Sequence, residues 1–336
     1  MIQGLYSVEE VVAMIDKGNV LLLAGDAALF KTLPKGKWIA GTTSKFIENG
    51  KKVVVSREKI FVHDITDIAA DVKLDIYDAS SIPAVYDDAY DNGFSVLIMP
   101  FSSNVKREYA ISGMNYSRFA SRPVCGWVAV APIYSDYERN DVSLVFSGKS
   151  GLSYDDAGVA MHIKLPNGKY AELHNFNPFA PKDGDVILFE ENGEQVENVM
   201  VNGVRQNFRQ YMIDKQIDRS SKLDSLLVGD YLGIVINVII MPESEIDEGK
   251  YVSIANPAYK DIPYRFAKLK PERKENYMKR VKDNIVFSFA CIGNSEYPEM
   301  FKDSLINANG PFVYGEIAYI LLNHSTVYVT VGDVSN

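Results

Sequence analysis

Apolar and polar positions change period several times along the chain. Ser7-Val8-Glu9-Glu10 has the spacing of a capping box, with Val11, Val12, Met14 and Ile15 on one helical face and Gly18 as the stop. Residues 20–24 form a continuous apolar run that predicts a buried strand, and a second short helix is expected from Asp26. Residues 37–43, 52–55 and 59–65 predict further strands. Clean alternation through Val72, Lys73, Leu74, Asp75, Ile76 and Tyr77 predicts a half-buried one. Ser80-Ser81-Ile82-Pro83 opens a predicted helix through Asp91, with Pro83 in its first turn and Gly93 as its end. The apolar run 94–99, bounded by Pro100, predicts a central strand.

Beyond residue 120 the texture changes to strands with little helix between them: 125–131, 143–146 and 158–165. Three Asn-Gly pairs, at Asn167, Asn192 and Asn202, fall between or beside apolar runs, and the first two predict hairpins with type I′ turns. Phe208, Tyr211, Met212 and Lys215 restore a helical spacing over 204–218. Strands are then expected at 230–241, 250–255 and 284–290, a helix at 295–306, and two last strands at 312–322 and 325–331. The expected fold class is α/β in the mixed α+β sense: mixed, largely antiparallel sheets flanked by helices, in two lobes packed together. The boundary is set at 1–203 and 204–336. No internal repeat or low-complexity tract breaks the pattern.

The longest apolar stretch, YLGIVINVIIM over 231–241, is too short for the ~20 residues a spanning helix requires. Asn237 interrupts it, and its β-branched content suits a buried strand better. No membrane partner is expected. Acidic residues outnumber basic ones in the 336-residue chain, 44 against 35, for a formal charge of −9 and a pI near 5.1. That balance disfavours polyanionic partners, nucleic acid among them. Two cysteines, Cys125 and Cys291, cannot make a disulfide framework, and residues 1–7 lack a basic segment followed by an apolar one. A reducing, cytoplasmic setting is the expectation.

Candidate chemistry concentrates in three stretches. Pro311 to Asn323 reads PFVYGEIAYILLN, apolar on both alternating sets, with Glu316 in its middle. A carboxylate in a strand buried on both faces costs several kcal/mol unless it is paired, hydrogen-bonded or protonated. Either a structural arginine or a ligand can satisfy it; Gly315 beside it favours the ligand, because glycine in a strand marks close approach. Gly41-Thr42-Thr43-Ser44 places three hydroxyls and a glycine at a strand end, where open sheets bind ligands. It lacks the spacing of a phosphate loop. Cys291-Ile292-Gly293-Asn294 stands where an apolar strand gives way to a helix, a position that can lower a thiol pKa, although a small core residue explains Cys291 as well.

Metal and nucleic-acid chemistry find little support. His63, His162, His174 and His324 are scattered, and no Cys or His spacing matches a zinc site. The run Asp64, Asp67, Asp71, Asp75, Asp78 loses its helical stripe once 72–77 is read as a strand. The basic segment 268–282, KLKPERKENYMKRVK, reads as an exposed helix laced with Glu272 and Glu275. No cofactor motif is present.

The order of an apolar strand ending in Cys291-Ile292-Gly293, a helix, and then Gly310-Pro311-Phe312-Val313-Tyr314-Gly315-Glu316-Ile317 resembles the C-terminal half of FIST domains. Gly41-Thr42-Thr43-Ser44 is similar to a reduced form of their N-terminal signature. Two departures stand out: Asn294 in place of a basic residue, and Lys45 and Phe46 where an acidic one would follow. The resemblance implies a sensory domain that binds a small metabolite, an amino acid or a derivative, and signals through a separate partner protein. The implied ligand residues are Gly41, Thr42, Thr43, Ser44, Cys291, Gly293, Asn294, Tyr314, Gly315 and Glu316. The competing readings are a hydrolase with Cys291 as nucleophile and an interaction protein without a ligand.

Overall fold

The computed structural model describes residues 2–48, 52–131, 142–221, 223–242, 251–270, 285–296 and 309–334. The chain is mostly β, with 49% strand and 15% helix, in five mixed or antiparallel sheets. The mixed, largely antiparallel character matches the expectation, but the flanking helices are few. The strands are numbered β1 to β27 in chain order. Two spatial units emerge, 1–176 with 274–336, and 177–273. Around residue 203 the backbone turns between two paired strands.

The first unit holds three six-stranded sheets. The first runs β1 (Gln3–Tyr6), β6 (Ile60–Asp64), β2 (Val20–Gly25), β3 (Lys37–Thr42), β10 (Val145–Ser147), β11 (Leu152–Tyr154). The second runs β26 (Ile320–Leu322), β25 (Glu316–Ala318), β9 (Val124–Ala129), β8 (Gly93–Pro100), β12 (Gly158–Lys164), β7 (Asp71–Tyr77). The third runs β13 (Lys169–Phe176), β27 (Thr326–Asp333), β23 (Ile285–Cys291), β24 (Gly310–Val313), β4 (Lys45–Glu48), β5 (Lys52–Val55). Three pairs are parallel, β2 with β3, β8 with β9, and β23 with β24.

Central strands such as β2 and β9 are apolar and buried throughout, as strands covered on both faces are. An aromatic series joins the sheets: Trp127 lies 5.6 Å from Phe289, Phe289 5.8 Å from Phe287, and Phe287 6.2 Å from Phe94. Gly41 on β3 lets the first sheet close on the second. A Cβ there would meet Ile98 Cγ2 at 2.7 Å and Trp127 Nε1 at 2.8 Å. The first helix, Val8–Asp16, carries the expected capping box: Glu10 N–H donates to Ser7 Oγ and Ser7 N–H to Glu10 Oε2.

The second unit contains a six-stranded sheet, β14 (Phe179–Pro181), β22 (Arg265–Leu269), β19 (Leu226–Tyr231), β20 (Ile234–Ile240), β21 (Val252–Ala258), β16 (Gly193–Val196). Beside it β15 (Ile187–Phe189), β17 (Asn198–Val201) and β18 (Val204–Asn207) make a three-stranded one. Phe189, Phe208 and Tyr264 pack edge to face in its core.

Several expected elements take another form. The helix over 80–91 shrinks to the 3-10 turn Ile82–Val85. The helix over 204–218 begins only at Phe208 and ends at Asp214, because Val204–Asn207 pairs with β17. That hairpin turns on Asn202 (φ 50°) and Gly203 (φ 84°). Asn167-Gly168 and Asn192-Gly193, the two pairs expected to make hairpins, instead join strands that do not pair with each other. The apolar run 231–241 is folded back at Leu232-Gly233, so β19 and β20 pair with each other. The expected helix at 295–306 is described only as Gly293–Glu296, and residues 271–282 of the basic segment lie outside the described residues.

Candidate functional site

The long strand expected over 312–322 is three short ones, and its breaks make the site. β24 ends at Val313 in the third sheet; the chain then crosses at Gly315 (φ 149°) and re-enters the second sheet as β25, beginning at Glu316. Gly41–Ser44 makes a similar crossing, leaving the first sheet at the end of β3 and entering the third as β4. The far end of β9 holds both crossings. Val128 N–H donates to Gly315 O, Val128 O accepts from Tyr314 N–H, and Val130 N–H donates to Thr42 O. Thr43 Oγ1 donates to Phe312 O at 2.8 Å. Cys291, at the end of β23, is the register partner of Val313, and its N–H donates to Ser325 O. The three stretches singled out in the sequence therefore meet at the ends of parallel strands, where such sheets place ligand sites.

Not all of their polar groups are available. Thr42 Oγ1 accepts from Leu144 N–H at 3.0 Å, and Thr43 Oγ1 is spent on Phe312. Both hydroxyls brace the crossing. Gly41 serves packing against Trp127 and Ile98. Tyr314 is half-buried, with its ring 5.3 Å from Phe101.

What remains gathers around Cys291. Glu316 is fully buried; Oε2 accepts from Ser325 N–H at 3.0 Å, and Oε1 has no hydrogen-bond partner among the described residues. Burial pushes its pKa well above the usual carboxylate range, against the pull of Ser325 and the neighbouring Cys291 thiol. Burial, and then Glu316, push the Cys291 thiol up as well. Asn294 is fully buried in the turn of helix Gly293–Glu296, and neither its Oδ1 nor its Nδ2 has a partner among the described residues. A Cβ on Gly293 would lie 2.6 Å from His324 Cε1 and 3.6 Å from Cys291 Sγ, so the thiol and the imidazole flank this glycine. Lys45 Nζ donates to Ser295 Oγ at 3.2 Å, bringing a cation to the same helix.

Backbone strain brackets Glu316. Tyr319 (φ 63°) and His324 (φ 52°) both adopt left-handed conformations. Tyr319 is held there by two hydroxyls, as Tyr86 and Tyr109 donate to its carbonyl at 3.0 and 2.7 Å. Non-glycine residues in this region cost on the order of 1–3 kcal/mol each and cluster at functional sites.

Sequence reasoning missed Trp127 and Ser325. Trp127 opposes Glu316 in the β9–β25 register, and its buried Nε1 has no partner among the described residues. Only a three-dimensional register could have exposed it. Also missed was an open pocket of about 480 Å³ in the second unit, beside Met212 and Ile217, where Arg219 donates from Nε and Nη2 to Met241 O. Among the described residues no group of three His, Cys, Asp or Glu side chains could hold a metal ion, and no helix is long and apolar enough to cross a membrane.

Fold and site together define a β-rich protein with a buried acid where one strand passes between sheets. The chain belongs to DUF6976, a family of unknown function whose model matches residues 6–332. No curated protein matches it.

Proposed function

We propose that this chain is a binding protein for a small polar metabolite, with Glu316, Asn294 and Cys291 at the ligand and Gly41–Ser44 and Tyr314–Gly315 framing it. One observation carries the reading: Glu316 Oε1 and both polar atoms of Asn294 are buried without hydrogen-bond partners among the described residues. Each such orphan costs about 1–3 kcal/mol, a penalty that complementary ligand groups remove. The strained residues Tyr319 and His324 support it. The resemblance to FIST domains supports an amino acid or derivative as ligand and a separate cytoplasmic signalling partner. The ligand's amino group would face Glu316, and its carboxylate the amide of Asn294 and the nearby Lys45. All these residues belong to the first unit.

The hydrolase alternative asks Cys291 to ionise. Burial and the adjacent acid hold the thiol protonated, which weighs against it. The binding reading is tested by native mass spectrometry of the purified protein together with thermal shifts across amino acids and small metabolites. A ligand at a hundred times its Kd stabilises by about 2.7 kcal/mol. The expected result is a co-purifying mass or at least one stabilising compound; no such mass and a flat panel would overturn the reading.

A further inference from the structure

Glu316 is buried at the start of β25 with few charged or titratable neighbours. β23 presents the Cys291 thiol directly to it, while His324 lies against Gly293 and the Lys45 ammonium is engaged at Ser295 Oγ in the neighbouring Gly293–Glu296 turn. Opposite it, β9 offers Trp127 and β26 offers Leu322, neither of which carries charge. Among the described residues no cation forms an ion pair with the carboxyl group, whose neighbours are the Ser325 N–H, donating to Oε2, and the uncharged Cys291 thiol, while Oε1 is left without a partner. An ionised carboxylate there would be a buried charge without a counter-ion, at a cost of several kcal/mol. The neutral acid has no such cost, and it carries a donor. Because Oε2 already accepts from Ser325, the proton belongs on Oε1, the oxygen left without a partner.

We propose that Glu316 holds a proton on Oε1 in the unliganded protein at neutral pH, so that the site meets its ligand as a hydrogen-bond donor and admits an ammonium group only by giving that proton to solvent. The second half rests on the binding reading above; the first does not. The step balances simply: the O–H bond of the acid breaks, an ammonium–carboxylate pair forms, and one proton passes to the buffer. Affinity for an ammonium compound then rises about tenfold per pH unit while the acid stays protonated. A ligand offering a neutral acceptor, such as an amide carbonyl, binds with no such dependence.

The test is infrared difference spectroscopy on the full chain carrying carboxyl-labelled glutamate, comparing wild type with E316Q at pH 7. A carboxylic-acid band present in wild type and absent from E316Q is expected; identical spectra would overturn the proposal. Should E316Q fail to fold, C291A serves instead. Removing the adjoining thiol shifts the acid band, and an unshifted spectrum overturns the assignment. Methylammonium chloride then probes the coupling. The expected result is bleaching of the band with release of one proton, read by calorimetry in buffers of different ionisation enthalpy. Stabilisation with the band intact, or no response at all, would overturn the ammonium step. A flat metabolite panel beside an intact acid band would refute the binding reading and leave the proton assignment standing.

Discussion

Lowering the pH from 7 to 5 loads two buried histidines and so tests the electrostatics of the core. His63 bonds through Nε2 to Asn309 O at 2.8 Å. His162 bonds through Nδ1 to Ser95 Oγ at 2.7 Å and through Nε2 to Tyr77 OH at 2.9 Å. Burial pulls both pKa values down to about 4 from 6.5. The unfolded chain therefore takes up protons first as the pH falls. The stability these histidines contribute is complete above about 6.5 and is lost on the way down to 4. For such a pair of values the loss at pH 5 is about 2 kcal/mol per histidine, or roughly 4 kcal/mol for two, against a typical total of 5–15. Glu316 acts in the opposite sense. Its folded pKa is raised, so its contribution is full at low pH and declines as the pH climbs above the unfolded value of 4.5. Between pH 5 and 7 it therefore works against the histidines, and E316Q removes that opposing contribution. Urea unfolding at pH 5, 6 and 7 reads this directly. Wild type should weaken on acidification, and E316Q should weaken more steeply than wild type over the same range. A midpoint unchanged between pH 7 and 5 in E316Q, or histidine resonances titrating near 6.5 in the folded state, would refute the reasoning.

Three further outcomes follow from the same geometry. G293A pushes a methyl group to 2.6 Å from His324 Cε1 at a glycine without positive φ, so about 1–3 kcal/mol should be lost by urea unfolding, and an unchanged midpoint would mean that the turn yields freely. S95A strips His162 Nδ1 of its partner inside the sheet and should cost about 1–3 kcal/mol; no loss would show that the Ser95–His162–Tyr77 relay adds nothing to stability. Burial raises both thiol pKa values, so iodoacetamide at pH 7 should leave Cys125 and Cys291 unmodified in the folded chain and alkylate both in urea, by intact mass. Rapid, selective labelling of native Cys291 would restore the nucleophile reading.

Strands were legible wherever alternation or a continuous apolar run decided them, as in Val20–Gly25 and Asp71–Tyr77. The capping box of Val8–Asp16 was legible for a local reason: its partners are three residues apart. Turns inside apolar runs were not. Leu232 and Tyr319 adopt positive φ, which neither side chain favours, and tertiary contacts such as the two hydroxyls on Tyr319 O hold the latter in place. Asn-Gly pairs marked turns, but which strands pair across them depends on the sheets, and only Asn202-Gly203 closes a hairpin. At the site, Glu316 stood out because an acid inside a greasy run is costly anywhere. The hydrogen bonds of Thr42 and Thr43 to the backbone gave no local signal, since a hydroxyl at a strand end looks the same whether it meets a ligand, an amide N–H or a carbonyl. Trp127 gave no local signal at all.

The most direct test of the binding account compares ligand-induced thermal shifts in wild type, E316Q and N294A under identical conditions. The account predicts that a compound stabilising wild type loses most of its effect in both variants while their unliganded melting remains cooperative. Equal shifts in all three proteins would contradict it, because the buried acid and amide would then have no part in holding the ligand.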